Sequence, residues 1–87
     1  MQRKELIKDF IQERSNLQCR LLGINAISLK NDTDLVKEGI FDSLSFVDLI
    51  GICESEFKVN VDLEKYNPSE FTKFGKLVEI IENSLIP

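Results

Sequence analysis

The sequence predicts an all-α fold: a bundle of three main helices plus one short helix, with a long loop after the first. Three observations predict it. Apolar residues recur at helical spacing in three separate segments. Helix-start signals stand at Asp42 and at Asn67-Pro68. The 87 residues include only two prolines and four glycines, too few for a turn-rich β architecture. That length suits one domain spanning 1–87, with a stability of about 5–10 kcal/mol.

The first helix is expected from about Arg3 to Ser15, where Leu6, Ile7, Phe10 and Ile11 repeat between charged residues and Asn16 offers a stop. From Leu17 to Phe41 the apolar residues (Leu21, Leu22, Ile24, Ile27, Leu29) have no clean period, and Gly23, Asn25, Asn31 and Asp32 interrupt them. This stretch reads as a long ordered loop that buries its apolar residues on the helices.

The second helix carries the clearest pattern. Asp42 is an N-cap, and Phe46, Leu49, Ile50, Cys53 and Phe57 follow as a core stripe. Leu44, Asp48, Gly51 and Ser55 lie on the opposite side, with Val47 and Glu54 at its flank. The helix should end at Phe57 or Lys58, before the β-prone Val59-Asn60-Val61. Asn67-Pro68-Ser69-Glu70 has Asn at N-cap, Pro at N1 and Glu at N3 of a short helix. Thr72 then offers a new N-cap. The last helix is expected from Lys73 to about Leu85, with Phe74, Leu77, Val78, Ile81 and Leu85 inward and Pro87 unable to continue it.

Charge is segregated along the chain. The net charge is −4, yet the first twenty residues hold five bases against three acids, and Asp34 to Phe57 hold six acids against one base. A nucleic-acid binder concentrates Lys and Arg instead, so a basic protein partner is expected. With no histidine and two cysteines, Cys19 and Cys53, the chain offers neither a disulfide scaffold nor a zinc set. Cys53 falls on the apolar stripe and reads as a buried reduced thiol. No long apolar run suggests a signal peptide or a membrane span, so a cytoplasmic protein is expected.

Catalytic chemistry has little support. A triad lacks its base, Asp32-Thr33-Asp34 fails as a calcium loop because Val36 and Lys37 follow, and no phosphate-cradling glycine loop exists. Ser43 stands out for its place at the first turn of the strongest helix, where its hydroxyl should be exposed. An attached anion would meet free N–H groups and the positive end of the helix dipole there, worth roughly 0.3–1 kcal/mol. On position alone, the better explanation is simply a polar residue beginning a helix, since such starts are ordinary.

The wider context adds to that position. Gly39-Ile40-Phe41-Asp42-Ser43-Leu44-Ser45-Phe46-Val47-Asp48-Leu49-Ile50 resembles the attachment region of acyl and peptidyl carrier proteins. Asp34-Leu35 upstream, Glu54-Ser55-Glu56-Phe57 downstream and Thr72-Lys73-Phe74-Gly75-Lys76-Leu77 near the end are similar to that family too, so the resemblance covers nearly the whole chain. It implies an acyl-carrier-like bundle that is freestanding and not an enzyme. It implies 4′-phosphopantetheine, taken from coenzyme A, on Ser43 beside Asp42, with cargo held as a thioester. The implied partners are a phosphopantetheinyl transferase and loading or transfer enzymes with basic docking surfaces, met by a monomer.

The same resemblance assigns Leu44, Val47 and Asp48 to the partner face, with Glu54 at its far end and Ile40 and Phe41 at its rim. An acyl chain would lodge between the Phe46–Ile50–Cys53 stripe and the last helix, or stay outside if polar. Ser45 and Ser55 stand where fatty-acid carriers often have acids, and Gly51 where many have a larger apolar residue. Asn67-Pro68-Ser69-Glu70-Phe71 is more similar to carriers of specialised pathways, including aminoacyl and D-alanyl carriers. Lipid, polyketide or nonribosomal peptide synthesis is the implied setting. The alternative is an adaptor that keeps the fold without being modified.

Overall fold

The computed structural model describes residues 2–84. Four α-helices follow in order: α1 (Arg3–Leu22), α2 (Ser43–Phe57), α3 (Pro68–Phe71) and α4 (Phe74–Ser84), with a 3-10 turn at Leu63–Lys65 before α3. The three long helices enclose one core, in which Ile7, Ile11, Leu35, Ile40, Leu49, Cys53, Leu77, Val78 and Ile81 are almost wholly buried.

The helix α1 does not stop at Asn16, as the sequence suggested, but runs for 20 residues to Leu22. Its buried face is Ile7, Ile11, Ser15 and Cys19, one residue per turn, and Cys19 continues the stripe past the expected end. Asn16 instead accepts a hydrogen bond from Gln12 Nε2 at 2.9 Å. Termination falls to Gly23, whose φ of 74° is left-handed. The Ile24 N–H reaches the Cys19 carbonyl at 2.9 Å and the Gly23 N–H reaches that of Arg20 at 3.1 Å, a Schellman closure. Leu6, expected inside, is exposed.

The loop between α1 and α2 is ordered but divides its apolar residues. Ile27 and Leu29 pack on the core while Ile24 faces solvent, as do Leu21 and Leu22, which belong to the last turn of α1, contrary to expectation. Gln12 anchors the loop from α1: its Nε2 donates to the Ile27 carbonyl and its Oε1 accepts from the Leu29 N–H, both at 2.9 Å. Further on, the loop lies against the start of α4. The Phe74 N–H donates to the Thr33 carbonyl, the Leu35 N–H to that of Thr72, and the Gly75 N–H to that of Asn31. A Cβ on Gly75 would stand 2.9 Å from Asn31 Cβ and 3.0 Å from its backbone, so only glycine permits this approach.

At the other end of the molecule, α2 starts and ends where the sequence placed it. Phe57 is partly exposed: it packs at the edge of the core, where its ring meets Phe10 edge-on at 5.4 Å. Asn67 caps α3 as expected, accepting from the Ser69 N–H at 3.0 Å. Thr72 is not the N-cap of α4. Its hydroxyl donates elsewhere, and α4 begins at Phe74. The expected roles of Leu85 and Pro87 lie outside the described residues.

Candidate functional site

The start of α2 is built by a reciprocal cap. Asp42 Oδ1 accepts from the Ser45 N–H at 2.7 Å, and Ser45 Oγ accepts from the Asp42 N–H at 2.9 Å. The Ser45 hydroxyl also donates to Asp42 Oδ1. The Ser45 N–H and hydroxyl together hold the Asp42 carboxyl below its usual range. Ser43 sits between these two residues at the first helical position, exposed, with its hydroxyl outside this network. The cap therefore fixes the backbone on both sides of Ser43 while leaving its oxygen free to react.

Beside Ser43 opens a cleft of about 440 Å³. Its walls come from three places: Val36 and Lys37 of the loop, Phe46 and Val47 of α2, and Leu63, Pro68 and Phe71 of the segment leading through α3. Phe71 lies flat on Phe46, ring centroids 5.9 Å apart and 13° from parallel. The space between the Phe46–Ile50–Cys53 stripe and α4 was the sequence-based candidate for an acyl chain. It is filled by closed core, since Cys53, Leu77, Val78 and Ile81 have no exposed surface.

Asp34 and Thr72 close the cleft where the loop meets α3. Thr72 Oγ1 donates to Asp34 Oδ2 at 2.9 Å, and Asp34 Oδ1 accepts from the N–H groups of Val36 and Lys37 at 3.0 and 2.9 Å. Desolvation pushes the Asp34 carboxyl upward. The hydrogen bonds from Lys37, Thr72 and Val36 outweigh it, and the pKa falls below the usual value. A depressed folded-state pKa stabilises the fold above the unfolded value near 3.9, and the gain is lost as pH falls through the folded value. Thr72→Val should therefore cost about 1–2 kcal/mol at neutral pH. In thermal unfolding the difference from wild type should shrink as pH falls below about 4, toward the lowered pKa at which folded wild-type Asp34 takes up its proton. A difference that is constant with pH would detach Thr72 from the Asp34 charge.

The expected partner face is only partly a surface. Leu44 and Val47 protrude, 75% and 58% exposed, and Asp48 is exposed beside them. Ile40 and Phe41 are not at the rim: they are 1% and 6% exposed, because the loop turns them under α2 into the core. Glu54 is engaged within the fold, its Oε2 accepting from the Val61 N–H at 2.8 Å and holding the segment after α2. Both cysteines are buried, and desolvation pushes the Cys53 thiol up to about 12, so it stays protonated and unreactive.

The family model for a phosphopantetheine attachment site matches residues 15–81, a span that includes α2 and the whole cleft. The chain belongs to the phosphopantetheine-binding carrier family. This carrier is 27% identical to a D-alanyl carrier protein of Staphylococcus xylosus over 74 residues, which are 85% of this chain and 95% of that protein. No solved structure matches it at a comparable level. The prosthetic group of the family is covalent 4′-phosphopantetheine, whose terminal thiol holds cargo as a thioester. The carrier fits that group in two ways: an unengaged hydroxyl at a rigid helix start, and an apolar cleft at its side. Among the described residues, no helix is long and apolar enough to cross a membrane.

The structure leaves Asp42, Ser43, Leu44, Val47 and Asp48 exposed at the start of α2, where the sequence placed them. Sequence reasoning missed the cleft walls at Lys37, Leu63, Pro68 and Phe71, and it missed the Asp34–Thr72 closure. Asp34 and Thr72 both lie in segments that resemble the family, but their contact spans 38 residues of chain and leaves no local signal.

Proposed function

We propose that this carrier takes the phosphopantetheine arm on Ser43 and presents an acyl or aminoacyl thioester to its partner enzymes. The observation that carries this reading is the free, exposed Ser43 hydroxyl, held between the two halves of the Asp42–Ser45 cap and adjoining the apolar cleft. Asp42 acts as a positioning residue there, ordering the first turn and placing a negative charge at the attachment point. The cleft gives the arm an apolar surface to lie along between encounters.

An aminoacyl cargo is supported by the similarity to a D-alanyl carrier protein and by the short polar residues Ser45 and Ser55 on α2. This favours specialised lipid or metabolite synthesis over bulk fatty-acid synthesis. The exposed Leu44, Val47 and Asp48 form an address read by enzymes with basic, partly apolar docking surfaces. The test is intact mass after incubation with coenzyme A and a broad-specificity phosphopantetheinyl transferase. One arm per chain is expected. An unchanged mass would instead support an unmodified adaptor of the same fold.

A further inference from the structure

Charge at the start of α2 is unbalanced once Ser43 bears an arm. The group joined there is a phosphodiester, whose negative charge arrives beside Asp42, and the cap already keeps the Asp42 carboxyl ionised. From residue 38 to residue 57 the chain carries Glu38, Asp42, Asp48, Glu54 and Glu56 and no base. The helix dipole offsets part of this, but the Ser45 N–H in the first turn is spent on Asp42. A phosphate set among acids repels them unless a cation stands near it.

Lys37 stands where that cation is needed. It lines the same cleft as Ser43, and no other residue lining the cleft is basic. Arg14 lies in a separate groove between α1 and α2, together with Asp48. Lys58, the next base along the chain, is at the far end of α2, about 20 Å away. The Lys37 side chain is exposed, and among the described residues the one ion pair joins Lys76 and Glu79. Its charge reaches Asp34 at longer range, but that carboxylate is already satisfied by Thr72 and by the N–H groups of Val36 and Lys37. The backbone beneath the side chain is fixed. The Lys37 N–H donates to Asp34 Oδ1 at 2.9 Å, and the Glu38 and Gly39 N–H groups donate to the carbonyls of Asp34 and Val36, both at 3.0 Å. The Phe41 N–H then donates to the Leu35 carbonyl, closing a compact turn that leads straight into Asp42 and Ser43. Pairing therefore costs only the freedom of the lysine side chain.

We infer that Lys37 is the phosphate-binding residue of this carrier: its ammonium pairs with the phosphodiester on Ser43 and holds the first atoms of the arm toward the cleft, away from the acidic side of α2. The inference rests on Ser43 as the attachment residue and supplies the cation that accommodates its new charge. An ammonium suits the task, because it meets a phosphate as a point charge and demands no fixed orientation. Lys37 is thus a positioning residue for the arm.

The test compares the unmodified and the arm-bearing protein at low salt, both freed of coenzyme A. Amine-reactive labelling, mapped by peptide mass, should be about threefold slower at Lys37 in the arm-bearing protein, the scale of an exposed ion pair. Labelling at Lys65 and Lys73, which do not line the cleft, should be unchanged. Phosphorus NMR of the arm reads the phosphate directly. Its resonance should move in Lys37→Gln and stay near the wild-type position in Lys37→Arg, which keeps the charge. The shift in Lys37→Gln should shrink in about 1 M salt, where the screening length is about 3 Å. Helical circular dichroism checks that each variant is folded, and if Lys37→Gln accepts no arm the labelling of the wild type decides. A resonance that Lys37→Gln leaves in place overturns the proposal. So does labelling that is not slowed at Lys37, or that slows equally at all three lysines. Intact mass of the wild type separates the two levels: with no added mass the Ser43 reading fails and takes this pairing with it, whereas with added mass and an indifferent Lys37 only the pairing falls.

Discussion

Ser43→Ala is expected to abolish arm addition completely, with the melting temperature and helicity close to wild type. The side chain is exposed and outside the hydrogen-bond network, so its removal takes nothing from the fold. Exposed substitutions of this kind change stability by less than about 0.5 kcal/mol. The informative control is Ser45→Ala, two positions along the same turn. Ser45 is tied to Asp42 by its N–H and its hydroxyl, so that variant should melt earlier yet still gain one arm. Intact mass and thermal unfolding of both proteins separate the two roles. If Ser43→Ala still gains mass while Ser45→Ala does not, the attachment point has been assigned to the wrong serine.

Leu77→Ala is expected to have the largest effect on stability. Leu77 has no exposed surface and lies on the inner face of α4 with Val78 and Ile81. Truncating a buried leucine removes its transfer free energy and leaves a cavity, together about 2–5 kcal/mol. A domain of this size has only about 5–10 kcal/mol to lose, so much of the population could unfold near body temperature. Phe57→Ala should cost less than a fully buried aromatic, because Phe57 sits at the edge of the core, partly exposed and edge-on to Phe10. Chemical denaturation of the two variants checks the order. A larger loss for Phe57→Ala would mean that the Phe10–Phe57 pair, and not α4, is the keystone of the core.

The sequence by itself determined the helices that local physics controls. Asp42 and Asn67 each bring a side-chain acceptor to a backbone N–H within the next three residues, so both caps were legible from residue type and spacing. The α2 stripe was legible for the same reason: Phe46, Leu49, Ile50 and Cys53 follow the helical repeat, and burial follows the repeat. Ser43 was legible because it sits in that local pattern.

Tertiary structure decided everything that depended on distant partners. Whether α1 stopped at Asn16 or at Gly23 depended on whether Cys19 found a core to enter, and only the folded bundle supplies one. Thr72 has the chemistry of an N-cap, but Asp34 competes for its hydroxyl across 38 residues of chain and wins it. Glu54 looked like an exposed acid until the chain returned the Val61 N–H to it. Ile40 and Phe41 precede an exposed serine, yet the turn into α2 rotates them beneath the helix, because their apolar side chains are more stable there than in water. The cleft beside Ser43 is the clearest case. It exists only where the loop, α2 and α3 converge, and no one of these segments contains enough of it to be read alone.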